Sequence, residues 1–255
     1  MSGTGISRTG THTPGPRRTR PTAGRLIRAA LWVVAGASLA LPGHHLIATE
    51  IAILALFALS LDLILGFAGI LSLGHGAFFG VGAYTAGLVS TRWTAEPLTG
   101  LALAAGAAGV LGLVTGPLLV RRATDLSRLM VTLAVAMLVH EAANRAGGLT
   151  GGADGLQGIL TAPLLGRFEF DLAGRTGHAY ALAVLAAGVV VASRVTGSGF
   201  GLALRAIRDN PLRAAAVGVP VGRHLVAVYA LSAAMAGVAG ALMAQTTMFV
   251  SLDAV

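Results

Sequence analysis

The stretch "GFGLALRAIRDNPLRAAAVGVPVGRH", residues 199–224, decides how this sequence is read. It carries Arg205, Arg208, Arg213 and Arg223 and lies between two apolar runs, 178–195 and 225–247, each long enough to cross a bilayer as a helix. Its own chemistry encodes two short helices. Asn210 is a good N-cap, because its side-chain oxygen accepts from free backbone N–H groups. Pro211 suits the first helical position, where no donor is needed. Ala214, Ala215 and Ala216 continue the helix; Gly218 can take the left-handed stop conformation, and Pro220 blocks continuation. Upstream, residues 201–209 read as a second short helix, with Arg205 and Arg208 on adjoining faces and Asp209 at its end. A helix of about two turns is not stable alone in water, so it needs a partner surface. The alternative is a basic loop resting on anionic headgroups of membrane lipid.

Composition fits that membrane setting. Of the 255 residues, 55% are hydrophobic and 11% charged, with a mean hydropathy of +0.79. Soluble domains carry about 25% charged residues. The apolar runs give seven candidate spans: 26–41, 46–66, 69–90, 98–120, 129–142, 178–195 and 225–247. The sequence therefore predicts an all-α, polytopic transmembrane helix bundle. Residues 1–25, rich in Gly, Pro, Thr and Arg, read as a disordered basic tail, and 26–255 as one transmembrane domain with a polar loop at 196–224. The break near Ala68 is short enough to predict a helical hairpin of the second and third spans.

Charge sets the orientation. All 18 basic residues are Arg, and with alternating spans only Arg92, Arg145, Arg167 and Arg175 share one side. The positive-inside bias puts the other fourteen in the cytoplasm, together with the N-terminus and the 196–224 loop. That distribution, rather than a single basic face, argues against nucleic acid as a partner. The sequence has no Cys and no Lys, which excludes thiol chemistry and a Walker A loop. No catalytic constellation stands out, and His44-His45 has no carboxylate or Cys at ligand spacing, so neither enzyme activity nor a metal site is expected.

Polar groups inside the spans are the remaining candidates. Asp62 either faces the bundle interior and a pathway, pairs with an Arg at the cytoplasmic edge, or sits solvated at the interface. In "GHGAFFGVGAY", Gly76, Gly80 and Gly82 read as a small-residue packing face, as do Ala236, Gly237 and Gly240. His75 reads as hydrogen-bonded to a neighbouring helix or, alternatively, as a proton relay. The fifth span is short and precedes "GGLTGGADGLQG" (residues 147–158): either the helix is broken or re-entrant, or it starts earlier, near Asp125, and a plain loop comes after it. "FEFD" (168–171) reads as a short strand or a surface contact.

Three motifs carry a resemblance. "GFGLALRAIRDNPLRAAAVGVPVGRHLVAVYALSAAMAGVAGAL" (199–242), "LSLDLILGFAGILSLGHGAFFGVGAYTAG" (59–87) and "LTGGADGLQGI" (149–159) resemble segments of the M-type permease subunits of ABC importers for branched-chain amino acids, and they stand along the chain in the family's order. The resemblance implies that residues 211–217 form a coupling helix seated in a groove of a separate ATPase. The coupling loop would use Arg205, Arg208, Asp209, Asn210, Pro211, Ala214, Ala215, Ala216 and Gly218. Asp62, Ser72, Gly74, His75, Gly76, Tyr84, Thr150, Gly151 and Gly152 become candidates for lining the pathway. The implied partners are two ATPase subunits holding ATP and Mg, a second homologous permease, and a periplasmic or lipid-anchored substrate-binding protein. The implied location is the inner (plasma) membrane. Leu212 stands where the general importer loop has Glu. Relatives continue with further spans past Val255, so a truncated or non-transporting form stays open as an alternative; separately, so do a urea or amide permease of the same family and an ion-coupled secondary transporter.

Overall fold

The computed structural model describes Gly36 and residues 44–251, except 122–123, 165, 168 and 172–173. The basic tail, the 26–41 span and Phe168 of "FEFD" lie outside the described residues, Gly36 aside; residues 169–171 are irregular. The chain divides into two units, Met1–Ala37 and Ser38–Val255, and the helix bundle is the second.

Helix α1 (His45–Asp62) runs into a single π turn (Leu63–Phe67). Next along the chain come α2 (His75–Arg92), α3 (Pro97–Val120), α4 (Asp125–Arg145), α5 (Arg175–Thr196), α6 (Gly199–Asp209), α7 (Pro211–Ala216) and α8 (Val221–Thr247). Local signals start two of them: Pro97 occupies the first turn of α3, and the Thr124 side chain accepts from the Ser127 N–H at the start of α4. Among the described residues, five helical stretches are long and apolar enough to cross a membrane: His45–Phe67, Pro97–Val120, Asp125–Arg145, Arg175–Thr196 and Val221–Thr247. The protein is a multi-pass membrane helix bundle.

Helix α8 is the centre. It packs against α1, α2 and α3, and Leu225, Val228, Tyr229, Met235 and Leu242 are buried along its length. Small residues let the backbones meet. A Cβ on Gly82 of α2 would overlap the Gly237 backbone, one on Gly240 would overlap the Phe79 carbonyl, and one on Gly112 of α3 would stand 2.8 Å from the Ala233 side chain. Lipid tails are as apolar as Leu, so close backbone packing must replace the hydrophobic effect between helices. The packing reading of Gly82, Gly237 and Gly240 holds.

Two expectations need correction. The chain between the second and third spans is not a tight turn: residues 68–74 are largely non-helical, and α2 begins only at His75. Nor do α1 and α2 pair as a hairpin. They meet through the side chains of Phe57, Ser60, His75 and Phe79, while α8 offers α2 the small-residue surface at Gly237 and Gly240 that permits closer approach. Helix α4 is continuous from Asp125 to Arg145, the earlier-start alternative, and a separate helical turn, Gly147–Thr150, follows it in the glycine-rich loop.

The arginines sort by end. Arg92, Arg145, Arg167 and Arg175 lie at the end that carries the glycine-rich loop. Arg121, Arg128, Arg194, Arg205, Arg208, Arg213 and Arg223 lie at the end that carries α6 and α7.

Candidate functional site

At the arginine-rich end the capped helix forms as its residues dictate. Asn210 Oδ1 accepts from the Arg213 N–H at 2.9 Å, and Pro211 takes the first position of α7. Gly218 stands at φ +88°. Its N–H bonds the Ala215 carbonyl and that of Val219 bonds the Ala214 carbonyl, both at 3.0 Å. This pair of bonds closes the helix as a Schellman motif. Of the three alanines only Ala214 is buried; Ala215 and Ala216 are exposed. Leu212 and Val217 are 83% and 80% exposed, an unusual display for branched apolar side chains at a polar end. Helix α6 is amphipathic: Leu204 and Ile207 are buried, while Arg205 and Arg208 stay at the surface.

Both arginines reach the end of α1. Arg208 Nη1 donates to the Gly66 carbonyl. Arg205 Nη2 donates to the Thr196 carbonyl at 2.9 Å, and its guanidinium lies 5.4 Å from the centre of the Phe67 ring, within cation–π range. Asp209 is exposed and 3.9 Å from the Arg208 Nε, a weak surface pair. Asp62 is exposed at the edge of a small cleft of about 180 Å³ between α1 and α5. It forms no ion pair among the described residues.

His75 lies in the core. Its Nε2 is 3.0 Å from Ser60 Oγ and 3.3 Å from Ser232 Oγ. Ser60 Oγ donates to the Phe57 carbonyl at 2.6 Å, and Ser232 Oγ donates to the Ser60 carbonyl at 2.5 Å. With both hydroxyl protons committed to carbonyls, the proton between these groups belongs on Nε2, and Nδ1 carries the lone pair. His75 thus stitches α1, α2 and α8 together. Gly74, beside it, lets α2 approach α4: a Cβ there would overlap the Thr132 carbonyl. Ser72 and Gly76 are half-buried on either side.

Tyr84 and Thr150 converge elsewhere. Both line an apolar cleft of about 510 Å³ between α2, α3 and α4. A neighbouring cleft of about 580 Å³ shares Thr85, Leu88 and Ala107 with it and has Arg92 and Trp93 at its rim. The Thr150 hydroxyl donates to the Ala143 carbonyl at 2.6 Å and accepts from the Gly152 N–H at 3.3 Å, which folds the loop back over α4. Gly151 and Gly152 hold positive φ, +80° and +56°, in that turn. Further along, Leu156 and Val250 exchange backbone hydrogen bonds of 2.8 and 3.2 Å, tying the glycine-rich loop to the chain after α8. The nine pathway candidates therefore occupy separate places: the α1 edge, the start of α2, and the cleft with its loop. Sequence reading missed Ser60, Ser232, Thr132, Gly66 and Gly69; only Gly66 and Gly69, both inside "GFAGI", carried a local signal, glycines interrupting an apolar run.

The described residues thus form a multi-pass helix bundle with a doubly capped, exposed helix at its arginine-rich end. A family model for the permease component of branched-chain amino acid transport systems matches residues 45–255, and the chain belongs to that family. Two curated relatives, each named high-affinity branched-chain amino acid transport system permease protein LivM, come from Escherichia coli (strain K12) and Salmonella typhimurium (strain LT2). Each is 29% identical over 231 residues, covering 80% of this chain and 53% of the relative. The chain spans about half the length of the curated relatives it matches. No solved structure matches significantly.

Proposed function

We propose that this chain is a permease subunit of an ABC importer that carries branched-chain or related hydrophobic amino acids into the cell. The arginine-rich end faces the cytoplasm, and the glycine-rich loop faces outward in the plasma membrane. ATP and Mg are held by two separate ATPase subunits. A second, homologous permease completes the pathway, and an extracytoplasmic binding protein delivers the substrate.

The observation that carries this reading is α7. It is six residues long and capped at both ends, and it bares Leu212 and Val217. So short a helix gains little stability alone, and its apolar side chains face outward where a partner's groove would cover them. Arg213 beside them favours a groove with acidic groups at its rim. The cleft holding Tyr84 and Thr150 is the best wall for a pathway: it is apolar, as a branched aliphatic side chain requires, with a few hydroxyls to orient the polar end.

The test is the paired substitution Leu212→Asp and Val217→Asp. Co-purification with the ATPase subunits and ATP-driven leucine uptake into reconstituted vesicles should both fall at least about tenfold, the scale expected for losing an interface anchor. Insertion into the membrane should be unchanged. Unaltered uptake would remove α7 from the coupling path.

A further inference from the structure

Beside the buried Leu204, Ile207 and Ala214 and the Arg205–Phe67 contact, one long side chain gives the α6–α7 pair a polar tie to the membrane helices. Arg208 leaves α6 and takes the Gly66 carbonyl in the π turn that ends α1. The turn alters the backbone ladder there: the Gly69 N–H goes to Leu65 and the Ile70 N–H to Ile64, both at 3.2 Å. The Arg208 stem then lies along Gly69. A Cβ at Gly69 would stand 2.7 Å from Arg208 Cγ, and the residue holds φ +70°. Both facts call for glycine at that position. Immediately beyond Gly69 the chain is irregular as far as Gly74. The Leu73 N–H in this segment bonds Thr132 Oγ1 of α4 at 3.2 Å, and Gly74 rests on the Thr132 carbonyl. His75 comes next and enters the polar cluster with Ser60 and Ser232.

These contacts form an unbroken series from the exposed helix to the bundle core. The α helices are stiff, with every interior N–H in a ladder. Residues 69–74 lack that ladder and are the compliant part. A charged donor on a backbone carbonyl is a stronger tether than a neutral one. We propose that Arg208 is a positioning residue that ties α6 and α7 to the irregular segment 69–74, so that displacement of α7 shifts the start of α2 and its contact with α4. This rests on the coupling reading of α7 for the source of the displacement.

The chain has no cysteine, so Leu73→Cys and Ala206→Cys, the second on α6 outside the apolar face of α7, each give it a single thiol for a spin label. Both sites are exposed. Labelled full-length chains are assembled with the ATPase and permease partners in nanodiscs, and label mobility is recorded with and without trapped nucleotide. Nucleotide should change the signal at both sites. Adding Arg208→Gln should abolish the change at residue 73 and keep it at residue 206; Arg208→Lys should restore most of it. Uptake per ATP hydrolysed should fall about tenfold in Arg208→Gln, the scale of one charge-assisted hydrogen bond. Gly69→Ala attacks the same tether from the other side and should behave alike, which covers the case in which Arg208→Gln does not fold. A residue-73 response that survives either substitution overturns the proposal. Silence at residue 206 in the otherwise unsubstituted chain overturns the coupling reading instead, and this proposal with it.

Discussion

Individual residues here act mostly by being small or by holding one hydrogen bond. Gly240 shows the first case. A Cβ there would overlap the Phe79 carbonyl, and a carbonyl within a helix cannot swing aside as a flexible side chain would. Gly240→Ala should destabilise the bundle by about 1–3 kcal/mol, the usual penalty for overpacking. Gly106 on α3 has open space around its missing Cβ, so Gly106→Ala should be neutral or slightly stabilising. Thermal unfolding of the two variants in the same detergent checks the contrast, and equal shifts would refute the packing account. Ser232 shows the second case. Its hydroxyl supplies a proton to the Ser60 carbonyl, so Ser232→Ala should cost ~0.5–2 kcal/mol, as for other side-chain hydrogen bonds between membrane helices.

Whole elements differ sharply in how they are held. Helix α8 is buried on most faces, whereas α4 has a single buried residue, Thr132. Leu126, Met130, Leu133, Met137 and Leu138 of α4 face outward instead. Helix α4 should therefore be the first to detach and α8 the last. Pulling single molecules from a bilayer would resolve the order; early loss of α8 would contradict it. Helix α7 depends on its caps. Asn210→Ala removes the side-chain acceptor for the Arg213 N–H and should weaken α7 by about 1 kcal/mol, while Asn210→Asp should retain the cap. Amide exchange of residues 211–217 in nanodiscs would measure the difference.

At the scale of the molecule, the proposed orientation rests on where the arginines collect. Trp93 is exposed at the glycine-loop end, and Val217 at the arginine-rich end. In intact cells a membrane-impermeant maleimide should label Trp93→Cys, and should reach Val217→Cys only after permeabilisation. The opposite pattern would place α7 outside the cell, away from any cytoplasmic ATPase, and would end the importer reading.

The sequence by itself determined what local chemistry can determine. Apolar run lengths gave the helices, arginine spacing gave the two ends, and "RDNPLRAAAVG" gave a capped helix because each of its signals acts within a few bonds of the backbone it governs. The earlier start of α4 was legible too, as an alternative signalled by Asp125. Only the tertiary structure decided that α8 is the hub, that α1 and α2 are not a hairpin, that Asp62 faces outward, and that His75 is held by serines 15 and 157 residues away. It alone brought Arg208 to Gly66, 142 residues apart. An apolar helix in lipid has no amphipathic stripe strong enough to declare its neighbours, so its packing partners depend on which small residues happen to meet, and no window of sequence contains both sides of such a contact.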